Sequence, residues 1–248
     1  MSANTAHPSF KQPSNSGIAI WRYMDFTKFV AMLESRALYF ARTDCLDDAF
    51  EGSYPRNNLE ARQRYFDGLP SDQREFVLTA FPKMAEDFRR NVFVNCWHMN
   101  EHESAAMWRL YAQSDEAVAI RSSYARLVAT LDESALVGMV QYIDYGRAVI
   151  DEGNLLNAYL CKRTSFAHEC EVRALVMDVP YASSIAHPAE REVPQGKEIS
   201  VDLDLLIDSI YISPTSKAWL RPLVERVSRR YGLGKPVLQS SLNDAPIY

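Results

Sequence analysis

The stretch Phe93–Tyr111, FVNCWHMNEHESAAMWRLY, constrains this chain more than any other. It opens with strand alternation: Val92, Val94 and Cys96 face one way, Phe93, Asn95 and Trp97 the other. A polar corner, His98 to Asn100, breaks the pattern. Ala105, Trp108 and Tyr111 then recur at helical spacing. Asn100 is placed to cap that helix, with Glu103 three positions on in the manner of a capping box. A strand-to-helix corner crowded with tryptophan, histidine, carboxylate and cysteine has two readings. It is a capped helix over an aromatic core, or it is one wall of a ligand site fed by free helical N–H groups.

The rest of the chain alternates short strands with amphipathic helices. Ile18–Tyr23 reads as a strand carrying Ile18, Ile20 and Arg22 on one side. A helix over Phe26–Ser35 places Phe26, Phe29, Val30 and Leu33 on one stripe. Strands follow at Leu38–Arg42, Ala117–Arg121, Leu136–Tyr145, Glu169–Val179, Ile199–Leu203, Ile210–Ser213 and Pro236–Ser241. Helices are expected across residues 56–90, over Tyr124–Leu131, over Leu155–Phe166, and after Thr215 as far as Tyr231. Residues 180–197 read as a loop. Residues 1–16, rich in Ser, Asn and Pro, read as a disordered tail before a single domain over 17–248. Strands and helices mix without strict βαβ alternation, which predicts an α+β fold: a mixed central sheet flanked by helices.

Charge sits where strands seldom carry it. Arg22, Arg42, Arg121 and Arg173 lie at or near strand ends. Asp44, Asp48 and Glu51 follow the second strand. In ECEVR, alternation puts Glu169, Glu171 and Arg173 on one face and Cys170, Val172 and Ala174 on the other. That charged face looks either to solvent, as an edge that resists aggregation, or into a cleft. Arg22 follows two isoleucines on its strand face, so it needs an anionic partner: a carboxylate of the 44–51 loop or a ligand phosphate. Lys162 stands ready to close a further ion pair, or to point from a solvated helix face.

Composition narrows the function classes. The formal net charge is −5 and no basic block stands out, so general nucleic-acid affinity is not expected. No apolar run is long enough to span a bilayer and the first residues lack a signal-peptide core, which predicts a cytoplasmic protein without membrane partners. The four cysteines show no CxxC spacing and read as free thiols. Cys96, His98 and His102 do not share a helical face, so no metal is assigned. Dinucleotide, P-loop, zincin and nucleophile-elbow signatures are absent.

Taken together, Trp21-Arg22-Tyr23, LYFARTDCLDDAFE over Leu38–Glu51, Cys96-Trp97-His98, ESAAMWRLY over Glu103–Tyr111, and Lys162 followed by ECEVR resemble a family. It is a bacterial and phage-associated family classed as a domain of unknown function. The pattern runs through nearly all of the chain after residue 17. Ala49, His98 and Phe166 stand where that family usually has proline, serine and tryptophan. A fainter likeness is to ADP-ribosyltransferases, in which a first-strand arginine, a helix, a second strand and a late E-x-E strand follow in this order. That resemblance implies an ADP-ribosyltransferase-like fold, with NAD as substrate and Arg22 on its phosphates or ribose. Glu171 would stabilise the cationic ribose as nicotinamide leaves, and Glu169 would orient the acceptor. LYFAR stands where the arginine-type enzymes carry an S-T-S element.

The expected function is therefore an ADP-ribosyltransferase-type enzyme modifying a macromolecular or small acceptor, in bacterial defence or as a toxin. Glu171 and Glu169 are its catalytic residues. Arg22, Tyr39, Arg42, Trp97, Glu103, Trp108, Tyr111, Lys162 and Arg173 are its ligand-binding set. Two other classes stay open: a metal-dependent nuclease or hydrolase built on Asp44, Asp48, Glu51 and Glu171, and a non-catalytic module that senses a ligand or binds a partner.

Overall fold

Strand β3 (Val92–Met99) is the spine of the molecule. In the computed structural model, which describes residues 2–112, 114–178 and 194–247, both of its edges are used. One edge is covered along its length by antiparallel β8 (Glu171–Met177), from Val92↔Met177 to His98↔Glu171. Beyond β8 lies β5 (Leu136–Met139). The other edge takes two strands in succession. β1 (Ala19–Asp25) meets it at Ile20↔Met99 and Trp21↔His98, and β2 (Ala37–Arg42) at Ala41↔Val94 and Arg42↔Phe93. Among the described residues no strand is paired with Asn95, Cys96 or Trp97 on that edge, so the sheet forks there.

From the fork, the β1 branch continues through β4 (Ala117–Ser123), β10 (Ser209–Ile212) and β11 (Val237–Gln239). The β2 branch continues to β9 (Gly196–Ser200). The sheet is mixed, because β10 and β11 run parallel while the other pairs are antiparallel. A separate two-stranded sheet joins β6 (Gln141–Ile143) to β7 (Cys161–Arg163). With helices flanking the sheet, the architecture is α+β.

Helix α1 (Phe26–Ser35) spans the two branches of the fork and covers one face. Its stripe of Phe29, Met32 and Leu33 packs with Ile20, Met24, Trp97, Ile120, Val172 and Ala174. Each such side chain contributes about 1.5–3 kcal/mol by leaving water. α5 (Tyr124–Thr130) and α7 (Leu220–Arg230) complete that layer through Leu127, Leu220 and Val224. Pro222 is tolerated in α7 because first-turn N–H groups have no helical acceptor. The opposite face is packed by Phe10, Val92, Val94, Tyr159, Leu160 and Leu175, and near the corner by Trp21, Tyr23, Met107 and Trp108.

Several expectations are corrected. Residues 155–166 are not one α-helix: two 3-10 turns, Leu155–Leu160 and Thr164–Glu169, flank β7. Leu156 and Tyr159 lie three apart, the spacing that a 3-10 turn aligns. The strand expected over 136–145 divides into β5 and β6 at Val140. Residues read as a disordered tail are packed: the Ala3 N–H donates to the Val128 carbonyl, and Phe10 is buried over Gly138. A Cβ on Gly138 would lie 2.9 Å from the Phe10 Cα. Within the helical span expected over 56–90, where proline would break or kink a helix, helix α3 (Ser71–Phe88) runs on through Pro82. Most of the loop expected over 180–197, and the end of the strand at Val179, fall outside the described residues. Among the described residues no helix is long and apolar enough to cross a membrane.

Candidate functional site

Paired residues on antiparallel strands share a face, so the register decides which charges can meet. Glu171↔His98 and Arg173↔Cys96 place Glu171 and Arg173 on the face of Val94 and Leu175. β8 lies between β3 and β5, so that face is neither edge nor open cleft, and Arg173 is 0% exposed. Burial of this kind demands matched charge. Arg173 answers with a double fork. Its Nη1 and Nη2 donate to Glu51 at 2.9 and 3.0 Å, and its Nε and Nη2 to Glu171 at 2.6 and 3.1 Å. Nη1 also reaches the Tyr159 carbonyl at 2.7 Å.

Lys162, carried by β7, closes the network. Its Nζ lies 2.5 Å from Glu169, 3.2 Å from Glu171 and 3.3 Å from Glu51. Three carboxylates thus share two cations. Burial alone would push the Glu171 carboxyl up, but Arg173 and Lys162 outweigh it and hold the group down to about 2. Lys162 is driven the other way: burial opposes its charge, and Glu171 and Glu51 overcome that and raise it. The Cys96 thiol, facing the same network, is pushed up by burial and by Glu171, so it stays protonated.

Glu169 reaches this cluster by a route the alternation does not describe. It ends a 3-10 turn, and Cys170 adopts a left-handed conformation (φ 40°) before β8 begins at Glu171. Glu169 and Glu171 are therefore not neighbours on one strand face; a turn brings both to Lys162. Glu169 also accepts from the half-exposed Tyr111 hydroxyl at 3.1 Å. The backbone carbonyl of Glu169 lies 2.6 Å from His98 Nδ1. A carbonyl only accepts, so Nδ1 carries the proton and Nε2 keeps its lone pair, buried and without a partner among the described residues. Burial lowers the His98 pKa, which keeps the ring neutral.

Arg22 is elsewhere. It shares the face of Ile20 and Met24, on the far side of the sheet from Glu171. Its strand leaves β3 just where the fork opens. Nη2 makes one long hydrogen bond, 3.4 Å, to the Tyr39 carbonyl, and Nη1 is out of solvent with no partner among the described residues. Burial lowers this guanidinium to about 10, with Cys96 alone opposing. Asn95 stiffens the fork: its Nδ2 donates to the same Tyr39 carbonyl at 2.8 Å while its Oδ1 accepts from Trp97 Nε1 at 2.7 Å.

The remaining expected site residues are scattered. Trp97 is buried in the α1-side core, across the sheet from Trp108 and Tyr111, so the three do not form one wall. Trp108 is also core, and its Nε1 donates to Glu103. Neither Asn100 nor Glu103 caps α4 (Ala105–Tyr111); Ser104 does, accepting from the Met107 N–H, and Glu103 also takes the Ser241 N–H. Arg42 is held by Asp44 at 2.6 Å. The Tyr39 ring lies over Gly196, half exposed, on the face opposite Arg22.

The acids of the 44–51 loop diverge as well: Asp48 binds Arg163 at 2.7 Å and Glu51 binds Arg173. Among the described residues no three His, Cys, Asp or Glu side chains are placed to hold a metal ion, and where Glu51, Glu169 and Glu171 meet, Lys162 and Arg173 stand among them. Asn95 has no role in the sequence reading, although an amide on an otherwise apolar strand face is a trace of one. Glu51 is read there as a loop acid open to Arg22 or a metal, and the structure pairs it with Arg173 and Lys162 instead.

The molecule is thus an α+β protein with a forked sheet, a sealed charge network on one face and a lone guanidinium on the other. Searched against protein family models, curated proteins and solved structures, the chain matches none of them.

Proposed function

We propose that the protein binds an anionic ligand of nucleotide type in the fork, with Arg22 as its anchor. One observation carries this reading: Arg22 is a largely covered guanidinium with no carboxylate partner among the described residues. A cation held in that state is relieved by an anion, and a phosphate offers the geometry a guanidinium matches. NAD is the first ligand to test, because the order of Arg22, α1, β2 and the E-x-E segment resembles ADP-ribosyltransferases.

ADP-ribosyl transfer to a macromolecular or small acceptor is the reaction that this resemblance attaches to the site. In that scheme Glu169 is the better carboxylate for the reacting ribose. Glu171 has both oxygens engaged by Arg173 and Lys162, whereas Glu169 has one cation and the half-exposed Tyr111. Arg22 and Glu169 act on a single ligand only if it passes through the gap between β1 and β2. A second reading, a ligand-binding module without catalysis, draws on the saturation of Glu171.

Calorimetry with NAD and ADP-ribose separates these. The expected result is binding by the wild type, weakened about thirtyfold in Arg22→Met, the loss of about 2 kcal/mol of charge-assisted contact. Nicotinamide release that disappears in a folded Glu169→Gln variant supports transfer. Binding without release leaves the module. If the wild type fails to bind either compound at millimolar concentration, the nucleotide reading is wrong.

A further inference from the structure

The chain as a whole is acidic, but its charge is uneven. Residues 217–235 hold six lysines and arginines against one acid, a balance of +5 in a chain whose total is −5. Most of that charge lies on α7. One side of the helix, Leu220, Val224 and Ser228, is packed into the molecule. Arg221, Arg226, Arg229 and Arg230 are exposed. The one acid, Glu225, is taken by Arg221 at 3.2 Å. That leaves Arg226, Arg229 and Arg230 with no carboxylate partner among the described residues. At the end of the helix Arg36 reaches the Tyr231 carbonyl at 3.5 Å, but Asp204 of α6 (Leu203–Leu206), 3.8 Å away, balances it.

Spacing gathers these cations into a stripe. Trp219 opens it, 49% exposed. Arg226 follows after seven residues and Arg230 after four more, so the three share one side of the helix, about 16 Å long at 1.5 Å per residue. Arg229 borders that side, three residues after Arg226. The dipole at the helix C-terminus favours Arg229 and Arg230, which lie in its last turn, but accounts neither for Arg226 nor for an indole in water. Guanidinium groups side by side with no acid between them repel, and a polyanion relieves that. Their planar fork matches phosphate, and an exposed indole offers a stacking face to a base. A bilayer would use less of this surface: α7 has its apolar side, Leu220 and Val224, sealed in the core and cannot insert it.

We propose that the outer face of α7 binds single-stranded nucleic acid, with Arg226, Arg229 and Arg230 on phosphates and Trp219 stacked on a base. This surface needs neither Arg22 nor Glu169. Fluorescence anisotropy of the full chain with a short labelled oligouridine tests it. Affinity should fall with salt, with a slope of about −2 in log K against log salt, from three phosphate contacts at about −0.7 each. Arg226→Gln and Arg230→Gln should each weaken binding by about fivefold and make that slope shallower by about 0.7. Trp219→Ala should weaken it by about tenfold and leave the slope unchanged. Glu225→Gln, which frees Arg221, should tighten it by about threefold. Arg64→Gln, at an exposed arginine of α2 (Arg56–Tyr65) that faces Glu60, should change nothing. Trp219 and these arginines are exposed, so thermal melts should show each variant folded. No binding at low salt overturns the proposal, as does a Trp219→Ala variant that binds like the wild type, or an equal loss in Arg64→Gln and Arg226→Gln. Binding to phosphatidylserine vesicles but not to oligouridine assigns the face to membranes and overturns it too.

Discussion

Arg22 and Arg173 are both strand arginines taken largely or wholly out of water, and their surroundings are opposite. Arg173 meets two carboxylates through four hydrogen bonds and sits beside a lysine that shares the same acids. Arg22 has one long bond to a carbonyl and, among the described residues, a buried Nη1 with nothing to donate to. The first arrangement holds the β3–β8 half of the sheet to the Asp48–Gly52 loop. The second adds nothing to stability that geometry can identify, and its charge is costly where it stands. A charge kept without an internal partner is a candidate for an external one. That contrast, more than any motif, is what the proposed ligand site rests on.

The contrast can be broken by substitution. Arg173→Met should cost the most, about 3–5 kcal/mol in urea unfolding, because Glu51 and Glu171 are left buried and underpaired. Acid should expose the same network. Glu171 is ordinarily near 4.5 and is held down to about 2 here. Its contribution to stability is therefore complete above pH 4.5 and drains away as pH falls toward 2. Unfolding measured across that window should show the decline in the wild type and a shallower one in Glu171→Gln. Tyr111→Phe removes one hydrogen bond to Glu169 at a half-exposed rim and should cost about 1 kcal/mol. Arg22→Met should be the smallest in size and reversed in sign, from no change to about 1 kcal/mol more stable. A large destabilisation by Arg22→Met would erase the distinction between the two arginines. Phosphate or NAD should raise the melting temperature of the wild type and leave that variant unmoved.

Local pattern was enough for much of the scaffold. The stripe of Phe29 and Leu33 marks α1 with its observed bounds, and the alternation around Trp97 marks β3. Arg22 was legible too, because a charge that follows two isoleucines on a strand face must be compensated somehow. What failed was everything that depends on pairing order. ECEVR alternates like a solvent-facing edge, and only Glu51 and Lys162, distant in sequence, turn it into an interior strand. Glu169 was placed on that strand because a left-handed turn at Cys170, a residue with a Cβ, leaves no local signature. The resemblance puts Arg22 and Glu171 on one NAD, whereas the structure sets them on opposite faces of the sheet; alternation within a strand says nothing of which face joins which across the fork. Asn100 and Ser104 are both good cap residues by type, and the Tyr23 hydroxyl, which takes the Ser104 N–H, goes with the later start.

The link between Glu51 and Arg173 spans 122 residues of chain. During synthesis, at about 5–20 residues per second, the acid emerges roughly 6–25 s before the arginine that will neutralise it. Until then Glu51 has no route into the interior, and the Asp48–Gly52 turn must wait in water beside strands β1 and β2. The most deeply sealed part of the finished protein is thus among the last to close, and the nascent chain must stay open on that face until β8 arrives.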